Sequence, residues 1–323
     1  MTRRQSKARV YRGALIFTWL LIFVPFFGAY GQVAPAVAPA ADPNLQGKGA
    51  PIEQITVTAR VLKQRVDSYI SKVSGGHVNT DDHPMARWRE PICPMIAGLP
   101  SEDGQFVFDR LTNDLSSTDI PLGQTGCRPN FFIIATTNPE VTLKSLWHDA
   151  PNLDGGQTGF VHFIAAPRPV RVWYNAEIIS GDGTPVTSFG VGDTVGGISV
   201  LQGIPQVHIG PMPHSEFNAL PDLKSVIAVI DLTRVVGLDW RQVTDYIAMA
   251  GVTKVNLDAH VEGTSTIMSL FSAPGDARPQ GLSSWDRSFI KELYQTDPVY
   301  RHQRVLIANK MVGDITAEYA QQK

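Results

Sequence analysis

The chain has 323 residues, 43% hydrophobic and 18% charged, a balance that excludes wholesale disorder and leaves enough apolar side chain for one sizeable core. Its 28 basic and 30 acidic residues are unevenly placed. Residues 1–31 hold Arg3, Arg4, Lys7, Arg9 and Arg12 and no acid, so the rest carries 23 basic against 30 acidic side chains, a net charge of −7 that argues against a nucleic-acid partner.

Residues 1–31 read as an export signal, with a basic start, an uncharged run over 14–27 and the small-residue pattern Ala29, Tyr30, Gly31 before Gln32. Cleavage after Gly31 is expected, leaving a periplasmic or secreted protein. The alternative is an inner-membrane anchor, because residues 14–31 make 18 uncharged positions, the lower edge of a spanning length. Pro25 and the small residues favour cleavage. No cysteine follows the run, which excludes lipid attachment there, and Arg3 and Arg4 stand too far from it for a twin-arginine signal. Residues 32–52, rich in alanine and proline, read as a disordered linker, and residues 53–318 as a single α+β globular domain. Cys93 and Cys127 are the only cysteines. In an oxidising compartment they predict one disulfide, stabilising by about 3–4 kcal/mol in a loop-entropy model. Two thiols alone make a poor zinc site.

Residues 55–61 alternate in polarity and are dense in β-branched side chains, predicting a first strand. His77, Asp81, Asp82 and His83 fall in a loop over 75–84 and read as solvated rather than metal-binding, since no rigid element fixes them. Residues 88–99 suit a packed, irregular, proline-punctuated segment. Over 105–115, Phe106, Val107, Arg110, Leu111, Asp114 and Leu115 recur at helical spacing, with Ser101 as a possible cap. Residues 130–136 predict a buried strand, and Pro139 opens a helix through Leu143, Leu146 and Trp147.

From Val170 the period changes to two, predicting a strand over 170–179 and a hairpin turn over 180–184. Short β pieces follow at 186–189, 197–201 and 206–209. In the loop 206–216, His208, His214 and Glu216 are the best remaining metal candidates; two prolines and the lack of helical spacing favour surface placement. A strand over 226–232 then leads to a buried helix over 239–251, capped by Asp239 and showing Val243, Tyr246, Ile247 and Ala250 on one face. That helix contains no histidine, glutamate or cysteine. His260 and Glu262 beyond it read as exposed, and residues 266–271 as an apolar segment tucked on the core. Ser283 or Ser284 caps a helix bearing Trp285, Phe289, Ile290, Leu293 and Tyr294. A last helix over 299–312 is expected to end at Gly313, with the final residues fraying.

Two stretches, residues 226–271 and 282–294, resemble an uncharacterised family of exported bacterial proteins with a zincin-like, metalloprotease-like arrangement. The resemblance implies a mixed sheet, a central buried helix and a helical C-terminal part. It also implies that this helix begins with His-Glu in members keeping the metal site. Here Asp245 and Tyr246 stand in those places and Met249 takes the position of the second ligand. Residues 267–271 fit the short apolar segment of that family, and Asp286, Leu293 and Tyr294 fit its final helix. Zinc needs two neutral imidazoles a helical turn apart and a neighbouring glutamate to take a proton from bound water. A carboxylate, a phenol and a thioether do not supply them.

The expectation is therefore an exported pseudoenzyme without cofactor, serving binding or envelope assembly through a protein or small-molecule partner. The membrane would be touched only through an uncleaved N-terminal segment. The competing expectation is a hydrolase with a non-standard site, metal-dependent through His208, His214 and Glu216. No Gly-x-Ser-x-Gly elbow occurs, which disfavours a serine hydrolase.

Overall fold

The computed structural model describes residues 59–76, 78–79, 83–118, 120–150, 159–183, 194–195, 198–199 and 219–321. In chain order its main elements are α1 (Ala59–Ser74), β1 (Arg87–Trp88), β2 (Pro94–Ala97), α2 (Ser101–Ser116), β3 (Phe131–Thr136), α3 (Pro139–Asp149) and α4 (Phe160–Ala165). Then come β4 (Val170–Ile179), β5 (Thr194–Val195), β6 (Ile198–Ser199), β7 (Leu220–Asp231), α5 (Trp240–Val252), α6 (Ser284–Gln295) and α7 (Gln303–Gln321).

The axis is β7. Its run Val226, Ile227, Ala228, Val229 and Ile230 is almost wholly buried, as expected of a strand covered on both faces. Along one edge β4 runs antiparallel from Val170↔Ile230 to Ile179↔Leu220, with a register shift at Asn175 and Ala176. The other edge is therefore shared by two parallel strands, β1 at Arg87↔Asp222 and β3 from Phe131↔Val226 to Thr136↔Asp231. Outside β3 lies β2, also parallel. The result is a mixed, mostly parallel sheet, and with its helices an α+β fold.

Alternation along the strands feeds two cores. Phe131, Ile133 and Ala135 of β3 enter the larger one with α1, α2, α5, α6 and α7. Phe132 and Ile134 point to the other face, where Leu143 of α3 and Phe160 and Ile164 of α4 cover Ile227 and Val229. Two short segments in the region read as irregular, β1 and β2, join the sheet because each needs backbone partners for only a few residues between prolines. Cys93 and Cys127 form a disulfide, with Cα atoms 6.1 Å apart, tying the start of β2 to the approach to β3.

Three expectations need correction. Residues 59–61 belong to α1, not to a strand, because Leu62, Val66, Tyr69, Ile70 and Val73 bury one helical face and that period outweighs local β-branching. Residues 55–58 lie outside the described set, as do residues 1–52, His77, Asp81, Asp82, and the β pieces at 186–189 and 206–209. Ser101 is the first residue of α2 rather than its cap, which is Pro100. Gly313 does not end α7: Ile315, two residues further, is 1% exposed, and its burial offsets the roughly 1 kcal/mol a mid-helix glycine costs.

Helix α5 is buried from Gln242 to Val252. Val, Thr, Tyr and Gly are weak helix formers, so burial and capping hold it rather than propensity. Asp239 accepts from Arg241 N at 2.7 Å while Gln242 Oε1 accepts from Asp239 N at 3.1 Å, a closed capping box. At the other end, the last carbonyls of the helix are answered by aromatic side chains from three elements. Tyr174 of β4 donates to Ala250 O at 2.6 Å, Trp88 of β1 to Gly251 O at 2.8 Å and Tyr294 of α6 to Val252 O at 2.7 Å. Among the described residues no helix is long and apolar enough to cross a membrane.

Gly251 sits directly on the Phe131 ring, which stacks on Trp88 at 6.1 Å between centroids. A Cβ at Gly251 would overlap that ring. Gly251→Ala is expected to lower stability by about 3 kcal/mol, read as a shift in the urea midpoint. A change within experimental error would contradict this packing.

Candidate functional site

Asp245 is completely buried in the middle of α5. Its carboxylate faces α2 and the loop 279–282. Arg110 of α2 forks onto it, Nε 2.7 Å from Oδ1 and Nη2 2.8 Å from Oδ2. The amide of Leu282 donates to Oδ2 at 2.7 Å. Gln242, one turn earlier, donates to Pro279 O at 2.8 Å and holds the same loop. Gly281 lies so close that a Cβ there would stand 2.6 Å from Asp245 Oδ2. The fork and the amide together occupy both oxygens, the paired arrangement a buried charge requires.

A second carboxyl group stands beside this pair. Asp114 of α2 is 1% exposed; its Oδ2 is 3.4 Å from Arg110 Nε and makes no hydrogen bond, and its Oδ1 receives only a 3.5 Å contact from Arg287. Burial, then the nearby charge of Asp245, push the Asp114 carboxyl up to about 7. Burial acts the same way on Asp245, but the hydrogen bonds from Arg110 and Leu282 outweigh it and hold Asp245 below the usual carboxylate range. At neutral pH the pair thus holds one firm negative charge and one easily protonated acid.

Tyr246 and Met249 point into the core. Tyr246 donates to Leu257 O at 3.1 Å and meets Phe271 edge-on at 4.7 Å; burial pushes its phenol up. Met249 is fully buried. Asp286 of α6 is equally committed. It accepts from Tyr69 Oη at 2.7 Å, Thr266 Oγ1 at 2.7 Å, Ile267 N at 2.8 Å, and Ser283 N and Oγ, each at 2.9 Å. The 3-10 turn Ile267–Ser269 and the cap of α6 are thereby locked to α1.

His208, His214 and Glu216 lie outside the described residues. His83, His260 and Glu262 are exposed, and among the described residues no group of three or more His, Cys, Asp or Glu is placed to hold a metal ion. Sequence reasoning missed Arg110 and Asp114 as a site. Their signal was available: a cation and an acid one turn apart, set among Val107, Leu111 and Leu115 on a buried face, need partners from another element.

The described residues also enclose a cleft of about 520 Å³ at the C-terminal end of α5, within the 300–1,000 Å³ range of small-molecule sites. Its polar end is built by Ser74, Lys254, Asn256 and Arg304. No residue of it was singled out from the sequence, because its members come from six separate stretches.

The Asp114–Asp245 pair sets a pH dependence. An acid with a raised folded pKa favours the folded state when protonated, so that contribution is lost as pH climbs from the usual carboxylate value through about 7. Asp245 works in the opposite sense and withdraws its stabilisation only in stronger acid. Between pH 5 and 8 the protein is expected to lose about 1–3 kcal/mol through Asp114, and Asp114→Asn to remove that part of the slope in urea unfolding; an identical slope in the variant would refute the pairing. No protein family model, curated protein or solved structure matches this chain, so the functional reading stands on the residues themselves.

Proposed function

We propose that the protein is an exported, non-catalytic binding protein built on a degenerate zincin-like scaffold. The single observation behind this reading is the saturation of Asp245: at the position of the first ligand, both carboxylate oxygens already accept hydrogen bonds from Arg110 and Leu282. The position of the base is a tyrosine donating to a backbone carbonyl, and that of the second ligand is a core thioether. A zincin helix requires open donors and a proton acceptor beside them, and α5 supplies neither.

Support for the scaffold comes from the order of elements. A long strand precedes the buried helix, an apolar turn packs against it, and an Asp-containing helix ending in Leu293 and Tyr294 closes the arrangement. Support for export comes from residues 1–31, and the acidic remainder disfavours nucleic acid. The partner on this reading is a protein or small molecule of the cell envelope.

The test is metal content and peptidase activity of the full chain, expressed with its own N-terminal segment and recovered from the envelope fraction. Zinc well below one atom per chain, no chelator-sensitive peptide cleavage, and a mature N-terminus at Gln32 are expected. Stoichiometric zinc that disappears in His208→Ala and His214→Ala variants would overturn the reading in favour of a metal-dependent hydrolase using those residues and Glu216.

A further inference from the structure

The cleft at the end of α5 has a chemical polarity set by strand alternation. Tyr174, Ala176 and Ile178 of β4 and Pro221 and Leu223 of β7 point to its side of the sheet. The intervening Glu177 and Asp222 point to the opposite side, where both meet Lys224, at 3.8 and 2.9 Å, together with Glu90 at 2.8 Å. The acids of this region are thus spent around one lysine behind the sheet. Among the described residues, none lining the cleft is a carboxylate, and two are cations, Lys254 and Arg304.

The two ends of the cleft differ. Ser74 and Asn256 meet at the first end, where Asn256 N donates to Val73 O at 2.7 Å and Arg304 Nε donates to Ser74 Oγ at 3.1 Å. Arg304 Nη1 also donates to His83 O at 2.7 Å, which fixes its permanently charged guanidinium in the wall. Lys254 is exposed beside them, on the residue pair following the last turn of α5, and no described residue forms an ion pair with it. Toward the second end the register steps from Ala176↔Leu223 to Ile178↔Pro221, and the accessible surface there is the aliphatic one of Ala176, Ile178 and Pro221.

A cationic, hydrogen-bonding end joined to an aliphatic trough fits one class of ligand. We propose that the cleft binds an aliphatic carboxylate of medium chain length, its head group at Lys254 and its chain along Ala176, Ile178 and Pro221. Charge complementarity chooses the head group, since an alcohol leaves Lys254 unanswered and an alkylammonium meets two like charges. The aliphatic floor makes affinity rise with chain length, about three- to fourfold per methylene while the trough is being filled. The inference supplies a ligand class for the binding role proposed above, but it stands on a different part of the molecule from the saturated Asp245.

The test is calorimetric titration of the full chain with hexanoate, octanoate, decanoate, decanol and decyltrimethylammonium. Decanoate is expected to bind at least tenfold more tightly than decanol, with affinity rising along the carboxylate series and falling with salt. Lys254→Gln is expected to weaken decanoate about tenfold while leaving decanol unchanged. Ala176→Trp, on an exposed position of β4, fills the trough and is expected to abolish binding of every chain. Both sites are exposed, so thermal unfolding of the two variants should match the parent and excludes misfolding as the cause. Equal binding of decanoate and decanol, unchanged decanoate affinity in Lys254→Gln, or no decanoate binding at millimolar concentration would each overturn the proposal. The last result, with Lys254 shielded from an amine-reactive reagent, would mean that the chain itself covers the cleft. Neither substitution touches Asp245 or its partners, so zinc content and peptide cleavage report separately on the non-catalytic reading.

Discussion

A carboxylate placed at the centre of a protein must be answered by donors or remain neutral, and Asp245 is answered by Arg110 and the Leu282 amide. That constraint orders much of the molecule. It brings α2 against α5, draws the loop 279–282 over the helix, and sets the entry to α6, whose own Asp286 is closed by five further donors. The C-terminal end of α5 is fixed by the phenols and indole that reach its last carbonyls from β4, β1 and α6. A helix held in this way at its middle and its end is a structural post.

The same geometry explains why catalytic chemistry is not legible on α5. The polar and polarisable side chains in the middle of that helix each have a structural bond or packing contact of their own. Asp245 joins helices, Tyr246 reaches Leu257 and Met249 fills the core. Polar capacity that remains accessible lies instead beyond the helix, at Lys254 and its neighbours, where sheet alternation has moved the acids to the far face. Two polar regions thus have opposite characters, one closed on its own ion pair, the other open and cationic.

Much of the fold was readable where a single period runs through a segment. The continuous apolar run of β7 and β3, the alternation of β4, the Asp239 cap of α5 and the pairing of Cys93 with Cys127 follow from local pattern or from counting. The reading failed where two signals compete. Residues 59–61 are β-branched locally but lie in a helix because Leu62 to Val73 bury one face of it, and Gly313 is carried through α7 by the burial of Ile315. The candidate site was half visible. Asp245 stands in the sequence on a helix whose face is otherwise apolar, while Arg110, 135 residues away, carries no local mark naming it as the partner. The cleft was invisible for the same reason, since a cavity is a property of segments brought together and not of any one of them.

The central claim is that Asp245 is bound to Arg110 for structure and is not available to chemistry. A double-mutant cycle with Arg110→Met, Asp245→Asn and the combined variant, read by urea unfolding near pH 7, measures this directly. The account predicts that Arg110→Met destabilises by about 3 kcal/mol or more, because it leaves the fully buried Asp245 unanswered, that Asp245→Asn costs about 1–2 kcal/mol, because Arg110 is 26% exposed, and that the two are coupled by about 1–2 kcal/mol. Additive losses, or an Asp245→Asn variant as stable as the parent, would contradict it.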